Sequence, residues 1–177
     1  MSEGDKDELF YRDTEAIASP KMDDRQLALL EPLGHRRMLR RGELVFKAGQ
    51  RDLGLAVVLS GEVEAFEARD GIEQILGTSG PRGFVGDVAM LNGTSAVASV
   101  RGKAEESEIL EIPAAELGRA LAELPGVSEP IVNAFIMRRQ RFLIRPVRSR
   151  SRISATQIMG RRQTRIGPST PIIGAIR

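Results

Sequence analysis

Glycines at positions 42, 49, 54, 61 and 71 cut the first half of the chain into short apolar runs. The runs are Leu44-Val45-Phe46, Leu55-Ala56-Val57-Val58-Leu59, then Val63 with Ala65 and Phe66, then Ile72 with Ile75 and Leu76. Each is strand-like in length, and each is bounded by a residue that tolerates a corner. Asp70-Gly71 separates two of them, and an Asp-Gly pair there favours a tight hairpin. Two more strands are expected at 97–100 and 109–112. Short strands with glycine corners argue for a β-barrel or β-roll and against a parallel sheet.

Helical signals flank this region. Asp23 or Asp24 can cap a helix in which Leu27, Leu30 and Leu33 fall near one face, and Gly34 ends it. Pro113 opens a second helix, with Leu117 and Leu121 four residues apart, and Pro125-Gly126 breaks it. Ser128 is expected to cap a third, with Ile131, Phe135, Ile136, Phe142 and Leu143 along one broad apolar face until Pro146.

The chemistry concentrates in residues 84–100, Phe-Val-Gly-Asp-Val-Ala-Met-Leu-Asn-Gly-Thr-Ser-Ala-Val-Ala-Ser-Val. A glycine turn leads to an acidic residue, a short helix, a Gly-Thr-Ser loop and a strand. A helix start leaves its first amides unpaired and carries partial positive charge, which suits an anion. A carboxylate beside those amides can accept a bond from a sugar hydroxyl. Phosphate and sugar hydroxyl together suggest a nucleotide.

Val85-Gly86-Asp87-Val88-Ala89-Met90 and Ala96-Val97-Ala98-Ser99-Val100 resemble the phosphate-binding cassette of the cyclic-nucleotide-binding domain family, which includes catabolite activator proteins and protein kinase A regulatory subunits. Upstream, Arg41-Gly42-Glu43-Leu44-Val45-Phe46-Lys47-Ala48-Gly49 and Ala56-Val57-Val58-Leu59-Ser60-Gly61-Glu62-Val63 resemble the same family's strands. The likeness covers about residues 23 to 144. It implies an α+β, mainly β fold: an eight-stranded, jelly-roll-like β-roll with an N-terminal helix, a short cassette helix and two C-terminal helices. It also implies a non-catalytic regulatory sensor with cAMP or cGMP as candidate ligand and no resident cofactor. The run Phe135-Ile136-Met137-Arg138-Arg139-Gln140-Arg141-Phe142-Leu143-Ile144 resembles the end of the sensor domain ahead of bacterial thioredoxin-reductase-like flavoproteins, which implies an effector protein as partner. Family members pair through the long helix, so a homodimer is implied.

By resemblance, Gly86, Asp87, Val88, Ala89, Ala96, Val97 and Ala98 meet the phosphate and ribose, through backbone N–H groups near 88–90 and 97–98 and the carboxylate of Asp87. Leu76, Gly77 and Ala65 fall where the family contacts base and sugar. Two positions depart from the family pattern. Asp87 stands where the family has Glu and is shorter by about 1.5 Å. Ala96 stands where the family has the Arg that pairs with phosphate. Arg82, Arg101 and Arg69 are candidates to replace that charge, against the plainer reading of solvated arginines. The plainer reading of Asp87 is a cap of the short helix, and of Ala65, Leu76 and Gly77, core or turn. The site is then degenerate, and a ligand-free dimerisation module of the same fold is the alternative.

Composition removes other chemistries. The chain has no Cys, which excludes Cys-His catalysis, Cys-ligated zinc sites and redox thiols, and its one His, His35, sits beside Arg36 and Arg37, where it reads as a surface residue and not as a base or ligand. The absence of Cys agrees with a reducing cytoplasm. The acidic start lacks a leader-like apolar stretch, and no apolar run approaches a membrane span. No membrane partner is expected.

Charge divides the chain in three. Residues 1–22 read as a mobile acidic arm whose Leu9-Phe10-Tyr11 cluster can tack onto the domain of residues 23–144. The tail, 145–177, holds eight Arg and no Lys, Asp or Glu, so 18 of 26 basic and all 24 acidic residues precede it, leaving −6 there against +8 in the tail. Proline and glycine interrupt every element in the tail, which reads as disordered. It is too short for a helix-turn-helix domain, so specific DNA binding is not expected. A phosphate-neutralising role for the tail in nucleic-acid association is the second alternative.

Overall fold

The glycine-bounded runs form strands of a few residues each. In chain order these are β1 (His35–Arg40), β2 (Leu44–Phe46), β3 (Leu55–Ser60), β4 (Val63–Arg69), β5 (Ile72–Ser79), β6 (Phe84–Val85), β7 (Ser99–Gly102) and β8 (Glu106–Ile112). Among the described residues they make two four-stranded antiparallel sheets, ordered β1-β8-β3-β6 and β2-β7-β4-β5. The structure, a computed structural model, describes residues 3–69 and 71–144, without the side chains of 3, 4, 69 and 142–144. The expectations for the 145–177 tail, and for Phe142 and Leu143 on the last helix face, lie outside it.

The run of β3 is continuously apolar because both of its faces are covered. Leu55 and Val57 join one buried cluster, with Leu30, Leu110, Ile112, Leu117, Val127 and Ile131. Ala56 and Val58 join the other, with Leu39, Phe46, Val63, Ala89, Ala96, Val100 and Ile109. The first cluster lies between the β1-β8-β3-β6 sheet and the helices; the second lies between the sheets. A period of two divides a single strand between two cores. The Asp-Gly signal marks the β4–β5 hairpin, in which Arg69 pairs with Ile72 and Gly71 takes φ +76°, a region where other residues are strained.

The helices are α1 (Glu3–Asp13), α2 (Glu15–Ala18), α3 (Asp24–Leu30) followed by a 3-10 turn (Glu31–Leu33), α4 (Asp87–Asn92), α5 (Ala114–Glu123) and α6 (Pro125–Ile144). Asp23 caps α3 in a full capping box: the Gln26 N–H donates to Asp23 Oδ1 at 2.7 Å, and the Asp23 N–H donates to Gln26 Oε1 at 2.9 Å. The same Gln26 donates through Nε2 to the carbonyl of Gly126 at 2.7 Å. That carbonyl is four residues before Pro130, which sits inside α6 with no N–H to offer it. Gln26 thus fastens α3 to the one carbonyl that proline frees. Gln26→Ala is expected to cost about 1–2 kcal/mol, read as a lower urea midpoint with unchanged slope; an unchanged midpoint would mean that water replaces both bonds.

Three expectations shift. α6 begins at Pro125, three residues before the expected cap; Ser128 instead donates its hydroxyl to the carbonyl of Pro125 at 3.2 Å. Proline suits a first helical position because its missing N–H would be unpaired there anyway. Ile131 is wholly buried in the helix-side core, so it is not free for a partner; Val132 and Ile136, 36% and 47% exposed, form the outward stripe. Residues 3–18 are helical, with Ala18 and Met22 buried, because α6 holds this segment through side chains described below.

Candidate functional site

β6 ends at Val85, and the chain turns through Gly86 at φ +104° into α4. A Cβ at Gly86 would lie 2.4 Å from the carbonyl oxygen of Gly54 and 3.1 Å from the Phe46 ring, so this corner admits only glycine. Gly93 at φ +64° closes α4. The loop that follows is pinned to the β2–β3 connection: the Ala96 N–H donates to Gln50 O, and the Gly49 N–H to Ala96 O, each at 2.8 Å. These ties hold residues 86–98 around a cavity of about 440 Å³, which is within the usual size for a small-molecule site.

All ten residues singled out from the sequence line this one cavity. Gly86, Asp87, Val88 and Ala89 come from the corner and α4; Ala96, Val97 and Ala98 come from the loop; Ala65, Leu76 and Gly77 come from β4 and β5. The N–H of Met90 does not face a ligand, because it donates to Gly86 O at 3.2 Å within the helix. Strand β7 begins at Ser99, not at 97, which leaves Val97 in the loop and 51% exposed.

Asp87 is not a cap. Gly86 holds that position without a side-chain bond, and Asp87 is the first residue of α4. Its side chain is 1% exposed and pairs through Oδ1 with Nη1 of Arg138 on α6. Oδ2 is buried and has no hydrogen-bond partner among the described residues. Burial pushes the Asp87 carboxyl above the ordinary carboxylate range, and the Arg138 guanidinium pulls it back. Arg138 also donates to Ala18 O at 2.6 Å and to Phe84 O at 3.2 Å, and lies over the Phe84 ring at 4.8 Å.

Arg141, one turn later on α6, completes the far wall. It pairs with Glu15 at 2.9 Å, bonds Thr14 Oγ1 and the Tyr11 carbonyl, and lies over the Tyr11 ring at 5.2 Å. The Tyr11 hydroxyl donates back to Arg141 O at 2.7 Å. Tyr11, Glu15, Ala18 and Ser19 therefore form one side of the cavity. Sequence reasoning missed this wall. It looked for cations in loops near the cassette and gave the arginines of α6 no place in the site.

The loop arginines are engaged elsewhere. Arg82 bonds the Met22 carbonyl at 3.2 Å and pairs with Asp24. Arg101 lies between Glu64 and Glu73, at 2.8 Å from each, over the Phe66 ring. Neither lines the cavity, and the Arg69 side chain lies outside the described residues. Among the described residues the cations that line the cavity are Arg138 and Arg141. Among the described residues no cluster of three or more His, Cys, Asp or Glu could hold a metal ion, and no helix is long and apolar enough to cross a membrane.

Residues 36–123 match the model of a family described as the cyclic nucleotide-binding domain. Among solved structures, the chain is similar to the catabolite activator protein of Thermus thermophilus, at 25% identity and a TM-score of 0.59, over 69% of this chain and 57% of that one. It is similar to the N-terminal domain of a transcriptional regulator from Streptomyces coelicolor, at 27% identity and 0.53, over 69% and 86%. A transcriptional regulator from Thermotoga maritima shares the fold, at 18% identity and 0.60, over 69% and 93%. The chain thus spans little more than half of the first of these proteins. Comparison with curated proteins finds no match.

Proposed function

Since residues 36–123 belong to the cyclic nucleotide-binding domain family, we propose that the cavity receives a cyclic nucleotide, cAMP or cGMP, and that the domain acts as a regulatory sensor. One observation carries the reading: a buried carboxylate lines a nucleotide-sized cavity, with one oxygen paired to Arg138 and the other without a hydrogen-bond partner among the described residues. An unmet buried acceptor is costly, and a ribose 2′-hydroxyl is a donor that would meet it once the 1% exposed carboxylate opens toward the cavity. The N–H groups of Val97 and Ala98, which have no partner among the described residues, suit the phosphate. Leu76, Gly77 and Ala65 form the wall for sugar and base.

Calorimetric titration of the full chain with cAMP and cGMP tests this. One of the two is expected to bind with one site per chain. The 2′-deoxy form of the bound nucleotide is expected to bind about tenfold more weakly, because it lacks the donor for Asp87. Equal affinity for both forms would remove Asp87 from the ribose. No binding of either nucleotide, by the wild-type chain or by Ala96→Arg, would leave the ligand-free module as the better reading.

That second reading has an observation of its own. Val132 and Ile136 sit one turn apart on the outer side of α6. A homodimer along this stripe is compatible with either reading. An effector of the flavoprotein kind remains a proposal drawn from the sequence of α6.

A further inference from the structure

Arg138 and Arg141 are one turn apart on α6, yet their situations differ. Arg138 is committed to the buried Asp87 and to two backbone carbonyls. Arg141 is the more enclosed of the two, at 13% exposure of its side chain against 19%, but its carboxylate partner is not: the Glu15 side chain is 63% exposed. Partial burial works to raise the Glu15 carboxyl, but hydrogen bonds from Arg141 and Ser19 hold it below its ordinary value. Both Arg141 and Glu15 line the cavity that the cassette residues line. At Ala96, where the sequence withholds a cation, the side chain is apolar and 92% buried in the core between the sheets, its exposure being 8%.

We propose that Arg141 is the anion-binding side chain of this pocket, taking the ligand's cyclic phosphate, and that Glu15 occupies that place until a ligand arrives. The inference rests on the cyclic-nucleotide reading above. Nε and Nη2 of Arg141 are held by Thr14 and the Tyr11 carbonyl, so Nη1, which now meets Glu15, is the nitrogen that can donate to a phosphate oxygen in a charge-assisted bond. The contact it gives up is cheap, because an ion pair with one largely exposed member contributes little. Thr14 and the Tyr11 carbonyl still accept from Arg141 after Glu15 leaves, so the guanidinium stays placed. Ligand entry then releases α2 from one of its ties to α6.

The test is a thermodynamic cycle on the full chain, titrated with cAMP and cGMP: wild type, Glu15→Gln, Arg141→Gln, the double variant, and Arg141→Lys. Glu15→Gln is expected to tighten binding about two- to fivefold by removing the competitor. Arg141→Gln is expected to weaken it about tenfold or more, and Arg141→Lys less. Glu15→Gln should gain nothing once Arg141 is Gln. Should Arg141→Gln fail to fold, the Glu15→Gln arm decides alone, since it removes only a largely exposed partner. Unchanged affinity in Glu15→Gln, or an equal gain with and without Arg141, overturns this inference and leaves the cyclic-nucleotide reading standing. No binding by any of these chains or by Ala96→Arg overturns both.

Discussion

Arg138→Ala lowers the stability of the domain by about 3–5 kcal/mol, the usual loss when one partner of a buried ion pair is removed. The cost comes from what stays behind. Asp87 is 1% exposed, and one of its oxygens already has no hydrogen-bond partner among the described residues. Without Arg138 the other oxygen loses its ion-pair partner and the Ala18 carbonyl its guanidinium bond, while the Phe84 carbonyl keeps a long bond from the Ser79 hydroxyl, at 3.5 Å. The loss depends on pH. Burial already raises the Asp87 carboxyl, and removing the guanidinium raises it further. A carboxyl whose folded pKa lies above its unfolded one destabilises the fold increasingly as pH rises from the unfolded value to the folded one. The deficit of Arg138→Ala is therefore smallest in acid and largest near neutrality. Denaturant titrations at several pH values measure this directly. Arg138→Met with Asp87→Asn, which replaces the charged pair by a neutral one, is expected to recover part of the loss. A deficit under about 1 kcal/mol at neutral pH would mean that water screens the pair.

This contact also marks what the sequence could and could not tell. The strands were legible because their signals are local: glycine corners, a period of two, an Asp-Gly hairpin. The ten cavity residues were legible because the cassette is nearly continuous, and β4 and β5 run beside it. Arg138 was not, because it meets Asp87 across 51 residues, and nothing in the helix around it distinguishes it from Arg139. Nothing local gives the arginines of α6 a place in the cavity until the wall of residues 11–19 stands opposite them. The same holds in reverse for α1 and α2. Their composition is polar enough for an arm, and what orders them is α6: the guanidiniums of Arg138 and Arg141 on the Ala18 carbonyl, Glu15, Thr14 and the Tyr11 carbonyl. Local sequence gave the roll, and long-range ion pairs completed the site.

Ala96→Arg tightens cyclic-nucleotide binding by about ten- to a hundredfold, the worth of one charge-assisted hydrogen bond. The backbone is already suited to it. Ala96 is tied on both sides, to Gln50 O and from the Gly49 N–H, so the substitution need not move the loop. Its Cβ lines the cavity among Phe46, Leu53 and Val100, against which the methylenes of an arginine can lie while the guanidinium reaches inward. A cyclic phosphate has two exocyclic oxygens. With Arg141 on one, the other faces the loop that carries Ala96, so the gain persists when Arg141 is replaced by Gln. The apo form bears the opposite effect. The cavity's carboxylates, Asp87 and Glu15, are already paired with Arg138 and Arg141, so a third cation leaves positive charge in excess, and the variant melts lower without ligand and gains more on its addition. Ala96→Gln controls for bulk and gains much less. Asp87→Glu, the change that would match the family at its other departure, is expected to fail as a companion: an extra methylene at a site 1% exposed overpacks it and costs about 1–3 kcal/mol. If Ala96→Arg folds, melts lower without ligand and still binds no more tightly than Ala96→Gln, position 96 does not face the phosphate. Arg141 would then be the sole charged contact the pocket can offer it.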